Sequence, residues 1–300
     1  MTVETLAILM PGDMGHGCAI VFRESGFRVV TTLSGRSERT RGLAAKAQIE
    51  DLGSFEEVAR QADLVLSILP PENAMEQARV FADAMIAAGS TPPYVDCNAI
   101  APSTTQKVGA EIARAGALYI DGGIIGNNPV TENGGTRLYV SGPDTSAVQE
   151  LDGKGMVVRS IGKEIGRASG MKMVYASSTK GTFSLHSAVL TTAHAMGLTE
   201  EYLQELSESQ PAMLAAMERM TPRIPLDAAR WLGEMYEIAR TFADAGVTPK
   251  FHEGAADMMA LADRTPISAE TRETVDTSRT LLQALDLYVA ARNGVKDPAD

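Results

Sequence analysis

The chain has 300 residues, a net charge of −11, 44% hydrophobic and 22% charged residues. That length suits two domains in series with two sizeable cores, and the composition argues against a disordered chain. The acidic balance argues against general steering toward nucleic acid or anionic membranes, although local basic residues can invert the field within one pocket.

Cys18 and Cys97 lack a CxxC partner and read as small, buried, reduced residues rather than a disulfide framework. The N-terminal MTVETLAILM lacks the basic region and long apolar stretch of a signal peptide. No apolar run approaches the length needed to cross a bilayer. A cytoplasmic protein is the expectation.

Leu6 to Met10 is a short apolar run, followed by PGDMGHG and an apolar-periodic helix that Gly26 ends. FRVVTTL is then a β-branched strand, so the first thirty-odd residues read as one βαβ unit. Helix–strand alternation recurs through EEVARQA, DLVLSIL, MEQARVFADAMIAA, YVDCN, STTQKVGAEIARAG, LYIDGGI and TRLYVSG, and this half ends near Val157–Ile161. Such repetition predicts an α/β fold, a Rossmann doubly wound parallel sheet, followed by an all-α C-terminal domain. The predicted boundaries are 1–165 for the dinucleotide-binding domain and 166–300 for a helical substrate and dimerisation domain. In the second half, helices are predicted at Ser169–Met196, Glu200–Glu208, Pro211–Arg219, Leu226–Ala245, Phe251–Asp263 and Ser268–Arg292, with KDPAD as a frayed tail.

Met10-Pro11-Gly12-Asp13-Met14-Gly15 occupies the first strand-to-helix turn. A dinucleotide fingerprint places three glycines there: for the turn, for close approach to the pyrophosphate, and for helix packing. The first is Met10 here; Gly12 and Gly15 keep the other two roles. The helix starting near Asp13 points its free N–H groups at the phosphates. A glycine-containing tight turn is the bland alternative, and its position at the first βα junction favours the cofactor reading. His16 follows in the same turn, within reach of a phosphate.

The second strand ends without the acid that binds the ribose hydroxyls of NAD. Arg36, Ser37, Arg39 and Thr40 lie just beyond it. A guanidinium and hydroxyls suit a 2′-phosphate, so NADP is favoured over NAD, with a solvated basic loop as the alternative. Leu69 and Pro70 close a later strand at its carboxyl end, beside the expected cofactor cleft. The histidines and cysteines show no metal-ligand spacing, and no metal is expected.

Together these segments resemble the β-hydroxyacid dehydrogenase superfamily, which includes 6-phosphogluconate and 3-hydroxyisobutyrate dehydrogenases. Its Gly-Leu-Gly-x-Met-Gly turn is similar to Met10–Gly15, and its Asn-Arg-Thr-like segment to Gly35-Arg36-Ser37. Asp96-Cys97-Asn98-Ala99 stands in place of Asp-x-Ser-Thr, and Asp121-Gly122-Gly123-Ile124-Ile125-Gly126 in place of Asp-Ala-Pro-Val-Ser-Gly-Gly. The family lysine on the interdomain helix is Lys172, with Ala176 where asparagine follows. The segments Lys172–Gly181 and Arg230-Trp231-Leu232-Gly233-Glu234-Met235 resemble a subgroup with an atypical C-terminal domain.

The resemblance implies an NADP-dependent dehydrogenase or reductase acting on a CH–OH group of a small polar substrate. Lys172 would be the general acid/base, and Tyr175 or Thr179 would replace the asparagine contact to the substrate oxygen. Asn98 and the backbone of Gly122 and Gly123 would hold a substrate carboxylate or another polar group. A homodimer is implied. Imine reduction or oxidative decarboxylation on the same scaffold, and a non-catalytic NADPH sensor, are the competing readings. A solvated helix lysine is the bland alternative for Lys172. Glu234, four residues after Arg230, reads as half of a surface ion pair, with a substrate-site role as the lesser alternative, and His186, seven positions after Thr179, as packing or a polar contact.

Overall fold

The structure, a computed structural model, describes residues 2–132 and 135–292. The predicted tail KDPAD lies outside the described residues. The chain divides into two compact units, Met1–Tyr175 and Ala176–Asp300.

The first unit is built on eight strands: β1 Thr5–Ile8, β2 Arg28–Thr31, β3 Glu50–Asp51, β4 Leu64–Ser67, β5 Tyr94–Asp96, β6 Tyr119–Ile125, β7 Arg137–Ser141 and β8 Val157–Ser160. Its helices are α1 Asp13–Glu24, α2 Glu38–Lys46, α3 Phe55–Gln61, α4 Ala74–Ala88, α5 Pro102–Arg114, the short α6 Pro129–Glu132 and α7 Ser146–Gln149, and α8 Arg167–Ala176. The sheet order is β3-β2-β1-β4-β5-β6-β7-β8. All pairings are parallel except β6 with β7. The order reverses between β1 and β4, and a doubly wound sheet opens its ligand crevice at the carboxyl ends of such strands.

Every residue of β1 is buried, because helices cover both faces. Leu6 and Ile8 pack with Cys18 and Phe22 on one side. Ala7 packs with Val58, Phe81 and Tyr94 on the other. Alternate residues thus serve two cores, which is why the parallel strands read as continuous apolar runs. Removing each such Leu or Ile from water contributes about 1.5–3 kcal/mol. Both cysteines are buried and free.

The second unit is helical: a π-helical turn over Ser177–Gly181, α9 Thr182–Ala195, α10 Thr199–Ser209, α11 Pro211–Met220, a 3₁₀ stretch Thr221–Asp227, α12 Ala228–Asp244, α13 Lys250–Asp263, a 3₁₀ turn Pro266–Ala269, and α14 Leu281–Ala291. Leu190, Leu206, Met217 and Leu285 form one apolar cluster. None of the described helices is long and apolar enough to cross a membrane.

The structure corrects two helix predictions. The helix expected over Ser169–Met196 is interrupted by the π turn, so the straight-helix register that would stack Thr179 beneath His186 does not hold through it. The helix expected over Ser268–Arg292 begins only at Leu281. Polar side chains capture the preceding backbone instead: Thr271 N–H donates to Thr274 Oγ1, Asp276 N–H to Glu270 Oε2 and Ser278 N–H to Asp276 Oδ1. Such local bonds compete with helix. Thr280 then starts α14 with a capping box closed by Gln283. Thr280→Ala is expected to cost about 1 kcal/mol, read as a lowered denaturant midpoint with an unchanged slope.

Candidate active site

The β1–α1 turn is built around two glycines with different tasks. A Cβ on Gly15 would lie 2.5 Å from the Met10 carbonyl oxygen and 3.2 Å from Ile8 Cγ2. Only glycine lets α1 approach β1 this closely. A Cβ on Gly12 would meet nothing nearer than Met10 Cε at 3.9 Å, so the space above it is open. Gly12 is the N-cap of α1 and supplies no side-chain cap. The first-turn N–H groups of Asp13, Met14 and Gly15 therefore have no partner from a capping side chain, the arrangement that attracts a phosphate. Pro11 precedes them. Asn128 steadies the turn by donating to the Asp13 carbonyl at 2.7 Å. The His16 ring lies 3.0 Å from the Gly12 carbonyl through Nδ1.

A cleft of about 320 Å³ opens beside this turn, lined among others by Met10, Ser34, Arg36, Leu69, Asn73 and Gln77. Arg36 is half-buried, and its Nη2 lies 3.2 Å from both the Leu9 carbonyl and Gln77 Oε1. Its buried Nε has no hydrogen-bond partner, and burial lowers its pKa. A guanidinium in the wall of this cleft, together with the uncapped α1 terminus, fits a dinucleotide phosphate. Ser37 instead caps a helix missed in the sequence, α2, accepting from Thr40 N–H. Arg39 forms an exposed ion pair with Asp13 at 2.6 Å, which offsets an acid at the mouth of the phosphate turn. Asp51, the acid at the end of β3, accepts from the Leu33 and Gly53 N–H groups.

Leu69 and Pro70 follow β4. Leu69 N–H donates to Asn98 Oδ1 at 2.6 Å, and Asn98 Nδ2 donates to Ser67 Oγ at 3.1 Å. Asn98 is buried, and both ends of its amide tie the loop after β5 to the end of β4.

Beyond Asp121, β6 outruns β5 and pairs only with β7 through Gly122–Ile125. A Cβ on Gly122 would fall 2.8 Å from the Asp96 carbonyl; one on Gly123 would fall 2.9 Å from both the Ala168 carbonyl and Lys172 Cβ. Gly123 thereby lets α8 lie directly on β6. Lys172, partly buried, donates through Nζ to the Ile124 carbonyl. Tyr175, one turn further along α8, is 40% exposed. The structure thus brings Lys172 together with Gly123 and Ile124. Thr179 belongs to the π turn of the second unit, where Oγ1 donates to the Ala176 carbonyl at 3.3 Å.

Asp121 is a helix cap that no local motif announces. Its buried carboxylate accepts from the N–H groups of Gly166, Ala168 and Ser169 at the start of α8, and from the hydroxyls of Ser141 and Ser169. Burial raises its pKa, while the Ser169 and Ser141 hydroxyls and the backbone donors oppose the rise. The missing signal is the absence of a capping residue next to α8: Gly166 precedes it, and the cap comes from β6.

In the second unit, Glu234 is not half of a surface pair. It is 3% exposed, receives Lys180 Nζ, and lies 3.1 Å from Arg230. Lys180 also sits 5.2 Å from the Trp231 ring centroid, and burial lowers its pKa against the pull of Glu234. Helical spacing shows that Arg230 and Glu234 share a face; it does not show that another element covers that face. His186 Nδ1 is buried without a hydrogen-bond partner. Among the described residues, no cluster of three or more His, Cys, Asp or Glu side chains is arranged to hold a metal ion.

Residues 6–166 match the NAD binding domain of 6-phosphogluconate dehydrogenase, and residues 193–261 match a domain of unknown function (DUF1932). An uncharacterized 28.5 kDa protein of Methanothermus fervidus is 26% identical over 199 residues, covering 66% of this chain and 74% of that protein. The 3-hydroxyisobutyrate dehydrogenase of Mycobacterium tuberculosis, solved with L-serine, is similar in fold: TM-score 0.64, 18% identity, covering 87% of this chain and 93% of that one. A reductive aminase from Aspergillus terreus, solved with NADPH and ethyl levulinate, has a TM-score of 0.54 at 18% identity, covering 96% and 99% of the two chains. The first match spans more than half of the chain and covers the turn, the cleft and β6. The chain belongs to the family of the NAD binding domain of 6-phosphogluconate dehydrogenase, and with it to the nicotinamide-dependent oxidoreductases.

Proposed function

We propose that this chain is an NADP-dependent oxidoreductase acting on a small polar hydroxy acid or a related alcohol or carbonyl, with Lys172 as the general acid/base. The observation that carries the reading is the seating of Lys172: half-buried on α8, against Gly123, at the carboxyl end of the sheet. Bound nicotinamide supplies or accepts the hydride. Lys172 takes the hydroxyl proton in the oxidative direction and returns it in the reductive one. Its hydrogen bond to Ile124 O fixes Nζ until a substrate oxygen competes for it, and Nζ takes the proton as the neutral amine. Tyr175 is the proposed neighbour for that oxygen. Arg36, the basic residue in the cleft wall, supports the 2′-phosphate reading over NAD.

A substrate without a carboxylate, such as an imine, is the second reading. It is favoured by Asn98, whose amide is engaged at both ends and is not poised for a carboxylate. The proposed homodimer is supported by an apolar groove of about 540 Å³ on the second unit, lined by Ala188, Val189, Met196, Leu198 and Tyr202.

The test is NADPH consumption with panels of β-keto acids, small ketones and ketone–amine mixtures, with products identified. Turnover of a keto acid supports the first reading, and amine formation the second. NADPH binding without turnover in any panel would favour a sensor and overturn the catalytic proposal.

A further inference from the structure

Beneath the β5 and β6 ends, two buried carboxylates are joined by three hydroxyls. Asp96 Oδ2 lies 3.0 Å from the Tyr119 hydroxyl, which lies 2.9 Å from Thr105 Oγ1. Thr105 Oγ1 lies 3.1 Å from Ser169 Oγ, and Ser169 Oγ is bonded to Asp121. All five residues are buried. This chain has four contacts, and each needs one proton. Three hydroxyls supply only three.

We propose that Asp96 is held as a neutral carboxylic acid, supplying the fourth proton of a buried hydrogen-bond chain that positions the helix bearing Lys172. Asp121 is the anionic end, since three N–H groups and two hydroxyls already point at it. Asp96 has far fewer donors: Oδ1 receives the Asn98 N–H at 2.9 Å. With Asp96 protonated, every bond runs one way: Asp96 donates to Tyr119, Tyr119 to Thr105, Thr105 to Ser169, and Ser169 to Asp121. Burial pushes the Asp96 pKa to about 7; the Asn98 N–H and Tyr119 hydroxyl resist this, and the Asp121 charge adds to it. The titratable groups facing Asp96 are Tyr94 and Cys97 from its own strand and loop, and Tyr119 and Asp121 from β6. The α5 and α8 partners, Thr105 and Ser169, are hydroxyls. All four titratable neighbours are acids, so none of them brings a positive charge that would hold Asp96 ionised.

Loss of this proton leaves three protons for four contacts, and one must open. Ser169 lies in the first turn of α8, three residues before Lys172, so the opening is felt where Lys172 meets Ile124. The catalytic meaning of this coupling rests on the Lys172 assignment above. Its test needs no turnover.

Infrared spectra of the full chain, titrated across neutral pH, read the carbonyl band of a buried carboxylic acid. In parallel, the rate of Lys172 acylation by an amine-reactive reagent is read by mass spectrometry, with Lys107 and Lys154 as internal standards. The expected result is an acid band that fades around pH 7 and is missing in Asp96→Asn. The relative reactivity of Lys172 should change over the same pH range. That step should vanish in Asp96→Asn and in Tyr119→Phe, with NADPH binding retained. Should Tyr119→Phe fail to fold, Thr105→Val cuts the same chain. An acid band that survives in Asp96→Asn, or is absent from the wild type, overturns the proton assignment. A Lys172 step that is absent, or persists once the chain is cut, overturns the positioning role.

Discussion

Replacing Lys172 with alanine is expected to lower kcat by about 10²–10⁴-fold, the usual contribution of a positioned general acid/base. Nucleotide affinity should stay near the wild-type value, because the phosphate turn and the cleft lie on other elements. Alanine is a clean substitution here. The Lys172 Cβ is the atom that packs against Gly123, and alanine keeps it. The lost groups are the stem and the ammonium that bonds Ile124 O. Single-turnover measurement of hydride transfer separates the chemical step from product release. An unchanged rate would remove Lys172 from the chemistry and leave it as a structural contact to β6.

The second large effect belongs to Gly15. Gly15→Val places a branched side chain where even a Cβ lies 2.5 Å from a backbone oxygen. Backbone cannot yield as a flexible side chain does, so α1 must move away from β1. Overpacking of this kind costs about 1–3 kcal/mol or more. A displacement of about 1 Å in groups that position a ligand can cost on the order of 10²-fold. Both a lower Tm and a large loss of nucleotide affinity are expected. Gly12→Ala makes the contrast, because space is open there. It should leave Tm near wild type and weaken nucleotide binding alone. Equal Tm losses for the two variants would contradict the separate roles given to the two glycines.

The parallel strands were legible because helices bury them on both faces, so LAILM and DLVLSIL stand out as apolar runs. The same logic explains the misses. β3 is only Glu50–Asp51, and both residues are exposed. In α2, Ala44 is the one buried residue, so that helix carries no apolar stripe; Ser37 as its N-cap was the available signal. The break before α14 depends on side chains that capture local N–H groups, which periodicity does not register.

Within the site, the Met10–Gly15 turn was legible from its position after the first strand, and Arg36 from the missing acid at the end of β2. The burial of Asn98 and Glu234 was not legible, since burial is set by elements far away in sequence. The Asp121–Ser169 cap joins residues 48 positions apart. It is a property of β6 lying beside α8, and no local motif encodes it.

We propose that the chain binds NADP in the cleft beside Arg36. Titration of the purified protein with NADPH and NADH, following nicotinamide fluorescence, tests it most directly when Arg36→Ala is run alongside. A charged hydrogen-bonded contact to the 2′-phosphate is worth about 1.5–3 kcal/mol, so NADPH should bind roughly 10- to 100-fold more tightly than NADH, and Arg36→Ala should erase that preference. Tighter binding of NADH, or binding of neither nucleotide, would contradict the account.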